Sequence, residues 1–367
     1  MSIPFDLAHA ELAASCEASQ IDLRGWIELG GVRLSEEEVQ AHLSQNRDCV
    51  LRFGGEFFLR WSDRQGLGQE CAARDHFGIM PGECPPGTLV CRGETAGRID
   101  PGYHVMDLEK AIEVAVRLRS DEGVVALSGG VDSALVAKLA GRDCVVVGLE
   151  GSHDLQHARR VAEELGLKLE QVVIDPGSIE DALRSVLRVI PAIDPVNASI
   201  AATLFFAARW AGEHGHRRIL AGQGADELFG GYSRYLQTET LAEDMAKDFQ
   251  GLSLQLARDQ AVANIHGAYF SLPYMDLRVV RTALAIPPEN KVRDGVRKLP
   301  LREVAMRVLP PSIAQHEKKA MQYGSGVMKE IQRLANRNGY KKSVQEYVEK
   351  VAREEGRIVG NSITKLH

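Results

Sequence analysis

Residues 124–140, VVALSGGVDSALVAKLA, constrain the fold more than any other stretch of the chain. Val124 to Leu127 are four consecutive apolar residues, the pattern of a buried strand. Ser128, Gly129 and Gly130 then turn the chain into an apolar-periodic helix that begins near Asp132. A strand that passes through a glycine turn into a helix leaves the first helical amides without partners inside that helix. Glycine also lets backbone come close to a ligand, so phosphate oxygens are natural acceptors for these amides. Ser128 and Ser133 add hydroxyl donors. No Lys-Ser/Thr pair follows the glycines, which separates this loop from the usual nucleoside-triphosphate cradle with its phosphate-reaching lysine. The same turn would also serve as a plain corner of an α/β sheet, and the remaining chain has to decide between the two.

The pattern around this stretch is one of strands alternating with helices. Leu108–Leu118 reads as a helix with Leu108, Ile112 and Val116 on one face. Cys144–Asp154 holds an apolar run ending in Gly-Leu-Glu-Gly, followed by a helix through Leu165, with Leu169–Ile174 a third strand and 179–189 a helix. Residues 193–215 form a long helix opened by Asp194-Pro195 and expected to be capped near Ser199, and Arg218–Ala221 is a further strand. The alternation predicts an α/β fold, a parallel sheet flanked by helices on both faces. In such sheets ligands lie beyond the carboxyl ends of the strands. The last segment, 340–356, carries Val344, Tyr347, Val348 and Val351 on one helical face, suited to pack on the body or on another copy.

Toward the N-terminus, Phe5–Cys16 reads as a short amphipathic helix and Glu36–Ser44 as another. Asp22–Leu34 and Cys49–Trp61 alternate like paired strands. A turn-rich passage, Pro85–Gly87 and then Gly93–Gly102, marks a boundary, giving a smaller α+β unit over 1–100 and the α/β body over 101–367. The net charge of −6 and a pI near 6.0 offer no general pull toward nucleic acid or an anionic membrane. Neither a spanning apolar run nor a leader pattern is present, so the cytoplasm is the expected location. The six cysteines (16, 49, 71, 84, 91 and 144) contain no C-x-x-C pair, and buried, reduced thiols are expected.

Several ordered strings carry a family resemblance. SGGVDS resembles the pyrophosphate loop of the N-type ATP pyrophosphatases, the PP-loop fold. GQGADELFGGY (Gly222–Tyr232) is similar to the SGEGADELFGGY string of asparagine synthetases, and CVVVGLEGSHD (Cys144–Asp154) to the family's second strand and helix. LPYMD ending at Asp276 looks like the end of GLExRxPFLD, KLPLREVA (Lys298–Ala305) like the KxxLRxAA helix, and HEKKAM from His316 like the R-x-K-x-x-F segment. The resemblance implies ATP as the nucleotide, with Ser128, Gly129, Gly130, Ser133 and Gly222 around its phosphates. It further implies Leu127, Gly148 and Leu149 against its adenine, and Mg²⁺ held by Asp132 and Asp226, since a hard cation on phosphates favours carboxylate oxygens. Lys318, with Lys319 as runner-up, would steady charge developing at the α-phosphorus. GGEFFLRW (Gly54–Trp61) and ARDHFGIMPG (Ala73–Gly82) resemble the last strands of the family's Ntn-type glutaminase domain. That domain normally begins with a nucleophilic cysteine, whereas here Met1 is followed by Ser2. The implied N-terminal unit is a shortened structural remnant, with Ser2 only a remote nucleophile and Cys16 a core residue.

The implied activity is an AMP-forming carbon–nitrogen ligase that activates a small-molecule carboxylate for ammonia or an amine, supplied directly or by a separate glutaminase; a homodimer is also open. The chain departs from the family where the acceptor is handled. Gln223 replaces the glutamate of SGEG, and a neutral amide is no general base near pH 7. Tyr269 and Ser271 replace the glutamate and arginine of GLExR. Lactam-forming relatives pair a tyrosine at the SGEG position with a downstream glutamate, and this sequence matches neither pattern. The alternatives are a nucleotide-binding regulator without turnover, a lactam-synthetase-like enzyme, and a tRNA-modifying enzyme, the last lacking any basic stripe.

Overall fold

The architecture is that of a computed structural model, which describes residues 21–63, 69–317 and 324–358. The expected helix 5–16, Ser2, Cys16, Lys318 and Lys319 lie outside the described residues. The N-terminal part is an antiparallel sheet of β1 (Ile21–Leu29), β2 (Val32–Arg33), β3 (Gly54–Asp63), β4 (Gln69–Arg74), β5 (Thr88–Cys91) and β6 (Glu94–Arg98), in the order β2-β1-β3-β4-β5-β6. Period-2 alternation along β3 buries both of its faces. Phe57, Leu59 and Trp61 meet Val39 and Leu43 of α1 (Glu36–Gln45), while Phe58 on the other face meets Met80 and Tyr269. Helix α1 starts in a capping box, Ser35 accepting from the Glu38 amide and Glu38 from the Ser35 amide. The strand expected from Cys49 begins only at Gly54. Asn46 accepts from the Asp48 amide and winds Arg47–Arg52 into a 3₁₀ turn first.

The cysteine expectation is corrected here. Cys71 and Cys91 form a disulfide, while Cys49, Cys84 and Cys144 are free thiols. Antiparallel pairing of β4 with β5 sets Cys71 directly opposite Cys91, with Cα atoms 4.3 Å apart, a relation that counting spacings does not reveal. Reduction, or a Cys71→Ala/Cys91→Ala double variant, is expected to cost about 3 kcal/mol through the loop it releases. Urea denaturation with and without reductant measures this, and an unchanged midpoint would contradict it.

The second sheet is wholly parallel, with β7 (Val124–Ala126), β8 (Cys144–Leu149), β9 (Leu169–Ile174), β10 (Arg218–Leu220) and β11 (Tyr269–Ser271) in the order β11-β10-β7-β8-β9. Alternate residues feed two cores. Val124, Val145, Val147 and Ile219 face α5 (Ile179–Leu187), α6 (Pro195–Glu213) and α8 (Leu241–Asn264). Val125, Val146 and Leu220 face α2 (Leu108–Arg117), α3 (Val131–Ala140), α4 (His153–Leu165), α7 (Ala225–Phe229), α9 (Leu277–Leu284) and α10 (Leu299–Val308). The expected parallel sheet between helical layers is therefore observed. Asp194, not Ser199, caps α6: its carboxylate accepts from the Val196 and Asn197 amides, and Ser199 instead bonds the Val196 carbonyl from inside the first turn. The helix Val344–Glu354 buries Tyr347, Val348 and Val351 on the body of its own chain, and Arg184 of α5 pairs with Glu354 and Glu355. Among the described residues no helix is long and apolar enough to cross a membrane.

A buried charge network joins the two sheets. Arg119, just after α2, donates to Glu56 of β3 at 2.7 Å and to Asp276 at 2.9 Å, and all three are at most 4% exposed. Glu56 also accepts from the Ser271 hydroxyl and the Leu272 amide, and Arg278 links Asp276 to Glu28 of β1.

Candidate functional site

The chain leaves β7 for β8 on one side and returns later to β10 on the other, so a crevice opens beyond their carboxyl ends at the point where strand order reverses. The loops after β7 and β10 line it. These are the two strings that stood out in the sequence. Gly130 caps α3 without any side-chain acceptor, so no side chain at the cap takes up the first amides of this ten-residue helix. Behind them, the Ser133 hydroxyl accepts from the Ser128 amide at 3.1 Å and lies 2.9 Å from the Ser128 hydroxyl, fixing the turn. Gly129 has φ +81°, and a Cβ there would stand 2.7 Å from His157 Cβ on α4, so this position needs glycine for both conformation and space.

Asp132 and Asp226 come together on one cation. Lys298 Nζ lies 2.7 Å from Asp132 Oδ2 and 2.7 Å from Asp226 Oδ1. Burial alone would depress this ammonium, but the two carboxylates outweigh burial and hold it above its ordinary range. The approach depends on small neighbours. A Cβ at Gly231 would collide with the Asp226 carboxylate and Lys298 Cε, and one at Gly222 would press on Asp132 Cβ at 3.1 Å. The buried Tyr274 hydroxyl donates to the Asp132 carbonyl at 3.0 Å, bracing the first turn of α3 from the segment after β11. Among the described residues no cluster of three or more His, Cys, Asp or Glu is placed to hold a metal. Two convergent carboxylates nonetheless fit Mg²⁺, which is commonly held by one or two protein carboxylates and completes its shell with phosphate oxygens and water. In the sequence, Lys298 stands out only as the first residue of the KLPLREVA string. Its left-handed backbone, φ 58° just ahead of Pro300, aims it at the acids, and no sequence pattern announced that turn.

Leu127 is buried under the loop, and a Cβ at Gly148 would strike the Ser152 hydroxyl. Leu149 is half-buried at the carboxyl end of β8, its amide donating to the Ser325 carbonyl. Glu150, Asp175 and Arg333 extend an open cleft from it past the end of β9. Gln223 donates through Nε2 to Asp259 Oδ2 at 3.4 Å. Asp259 in turn pairs with Arg258 at 2.7 Å, and Arg258 reaches Asn197. Burial pushes the Asp259 carboxyl up, against the pull of Arg258. Tyr269 accepts from Arg218 at 2.6 Å, and Ser271 points to Glu56, so the two positions that depart from the family string are occupied in structural contacts.

The family profile described as Asparagine synthase matches residues 107–269 and 252–355. The chain belongs to the asparagine synthase family. It is 34% identical over 294 residues to putative asparagine synthetase [glutamine-hydrolyzing] 1 of Methanocaldococcus jannaschii, covering 67% of this chain and 54% of that protein. It is 28% identical over 248 residues to asparagine synthetase B of Escherichia coli K12, covering 60% and 45%. The chain thus spans about half the length of the curated relatives it matches. Among solved structures it is similar to an NMN synthetase from Francisella tularensis, at 16% identity and TM-score 0.35 over 70% of this chain and 99% of that one. An NH₃-dependent NAD synthetase from Campylobacter jejuni matches at 16% and 0.33 over the same shares.

Proposed function

We propose that this asparagine synthase family chain is an ATP-dependent amide ligase that activates a carboxylate with release of AMP and pyrophosphate. The observation that supports this reading is the convergence of Asp132, Asp226 and Lys298 beside the uncapped amides of α3. A carboxylate oxygen of the substrate attacks the α-phosphorus of ATP, the bond to the β-phosphate oxygen breaks, and pyrophosphate departs toward the loop amides. Ammonia or an amine then attacks the acyl carbonyl and AMP leaves. Mg²⁺ held by Asp132 and Asp226 would neutralise phosphate charge; Lys298 adds a fixed positive charge between the same acids, and the loop amides need no reorganisation to receive the leaving group.

The acceptor is not expected to be served as in asparagine synthesis, because Gln223 accepts no proton near pH 7. Nitrogen is proposed to arrive as free ammonia, as an amine, or from a separate glutaminase. Among the described thiols of the N-terminal part, Cys71 and Cys91 are bonded to each other, burial pushes Cys49 up to about 11, and burial also raises Cys84. The test is ATP, Mg²⁺ and ammonia with pooled metabolite carboxylates, following AMP and pyrophosphate. Equimolar, carboxylate-dependent release is expected, with aspartate inactive. Asparagine made at a catalysed rate would refute the altered acceptor site, and no AMP with any carboxylate would favour nucleotide binding without turnover.

A further inference from the structure

Three histidines from two parts of the chain stack beside the phosphate loop. His153 and His157 lie on the first turns of α4 with ring centroids 4.0 Å apart and planes at 21°. His316 stacks on the other face of His157 at 4.4 Å and 29°. The His157 backbone is the wall against which Gly129 is pressed, so the middle ring of the stack belongs to the same wall as the loop. The two ends of the stack carry unsatisfied ring nitrogens. His153 Nδ1 and His316 Nε2 are buried and, among the described residues, have no hydrogen-bond partner. Buried donors or acceptors left in this state are uncommon and call for an explanation.

Charges of both signs flank the stack. Arg160 from α4 and Arg302 from α10 act on His316, opposed by Glu317 of its own segment. At the other end the Asp154 carboxylate stands 3.8 Å from His153 Nδ1. Burial first, then His153 and the two arginines, holds the His316 imidazole below its ordinary range. Face-to-face imidazoles repel when charged, so a charged stack needs a counter-anion. The R-x-K-x-x-F string has arginine where this chain has His316, which exchanges a permanent charge for a titratable one.

We propose that His153, His157 and His316 form an anion-binding wall that receives pyrophosphate beside the Ser128–Gly130 loop and takes up a proton as it does so. The proposal rests on the ATP-splitting reading of that loop. Pyrophosphate binding is thereby linked to pH: the product is held more tightly in acid and released more readily as pH rises. The proton comes from solvent on binding and returns to it on release.

The experiment is calorimetric titration of the full chain with sodium pyrophosphate at fixed MgCl₂, at pH 6, 7 and 8, in buffers of different ionisation enthalpy, which counts protons taken up. The probe's own titration is common to all proteins compared and cancels. Wild type is expected to gain about tenfold more affinity between pH 8 and pH 6 than His316→Gln or His157→Gln, and to take up more protons per pyrophosphate. His316→Arg is expected to keep the affinity while losing the extra proton uptake, an outcome that a packing role alone would not produce. Thermal midpoints of the variants show that they are folded. Pyrophosphate bound with equal pH dependence by wild type and all variants overturns the histidine wall and leaves the ATP-splitting reading intact. No pyrophosphate bound by wild type overturns both.

Discussion

Asp132→Ala is expected to lower magnesium-dependent pyrophosphate release from ATP by about 10³-fold or more, because it removes one of the two carboxylates proposed to order Lys298 and Mg²⁺ at the phosphates. The loss follows from the arrangement. Lys298 Nζ sits 2.7 Å from each acid, so the ammonium and the proposed metal share one pair of carboxylates. Removing either acid leaves Lys298 on a single partner and takes away half of the protein ligands proposed for Mg²⁺. Asp226→Ala should therefore fall to a similar level, and the double variant should lose little more, since groups that act as one unit are not additive. Stability is expected to separate the acids from the lysine. Lys298→Met leaves two carboxylates facing each other without the ammonium, so added Mg²⁺ should raise its melting temperature more than that of wild type. Coupled pyrophosphate assays with parallel thermal scans make the comparison. An Asp132→Ala protein that kept its rate within tenfold of wild type would rule out the shared-cation site.

How much of this was legible in the sequence depended on the range over which each interaction acts. The loop after β7 could be read because strand, turn and helix are encoded within 17 consecutive residues, where local periodicity and glycine chemistry suffice. The parallel sheet was legible for the same reason, repeated along the chain. Lys298 was not, because its partner Asp132 lies 166 residues away and its left-handed backbone comes from the turn before α10. The Cys71–Cys91 bond needed the β4–β5 register, which spacing does not contain. At α6 two plausible caps competed. The geometry favoured Asp194 because an acid ahead of Pro195 stands at the boundary, whereas Ser199 is already helical. The contact from Gln223 to Asp259 brings together the loop after β10 and the last third of α8, and only the tertiary fold shows that the amide is already engaged.

The second large effect concerns the seam between the sheets, where Arg119→Met is expected to cost about 3–5 kcal/mol of folding stability. Arg119 is 2% exposed and neutralises both Glu56 and Asp276 while lying 5.0 Å from the Trp26 ring. Methionine preserves much of the volume but strands Glu56, 1% exposed, away from water with the Ser271 hydroxyl, the Leu272 amide and the Trp26 indole N–H as its remaining donors. An exposed pair gives the contrast: Lys168→Met, which breaks the bridge to Asp143 at the surface, is expected to leave the urea midpoint essentially where it is in wild type. The seam also reaches the site. Glu56 grips the chain at Ser271 and Leu272, and two residues later Tyr274 braces the Asp132 carbonyl, so loosening one end frees the other. Urea denaturation measures the stability term. Pyrophosphate release well below the unfolding range measures the second, and Arg119→Met is expected to lose rate there even while folded. A variant with an unchanged denaturation midpoint would mean that the N-terminal sheet does not depend on this ion network for its attachment.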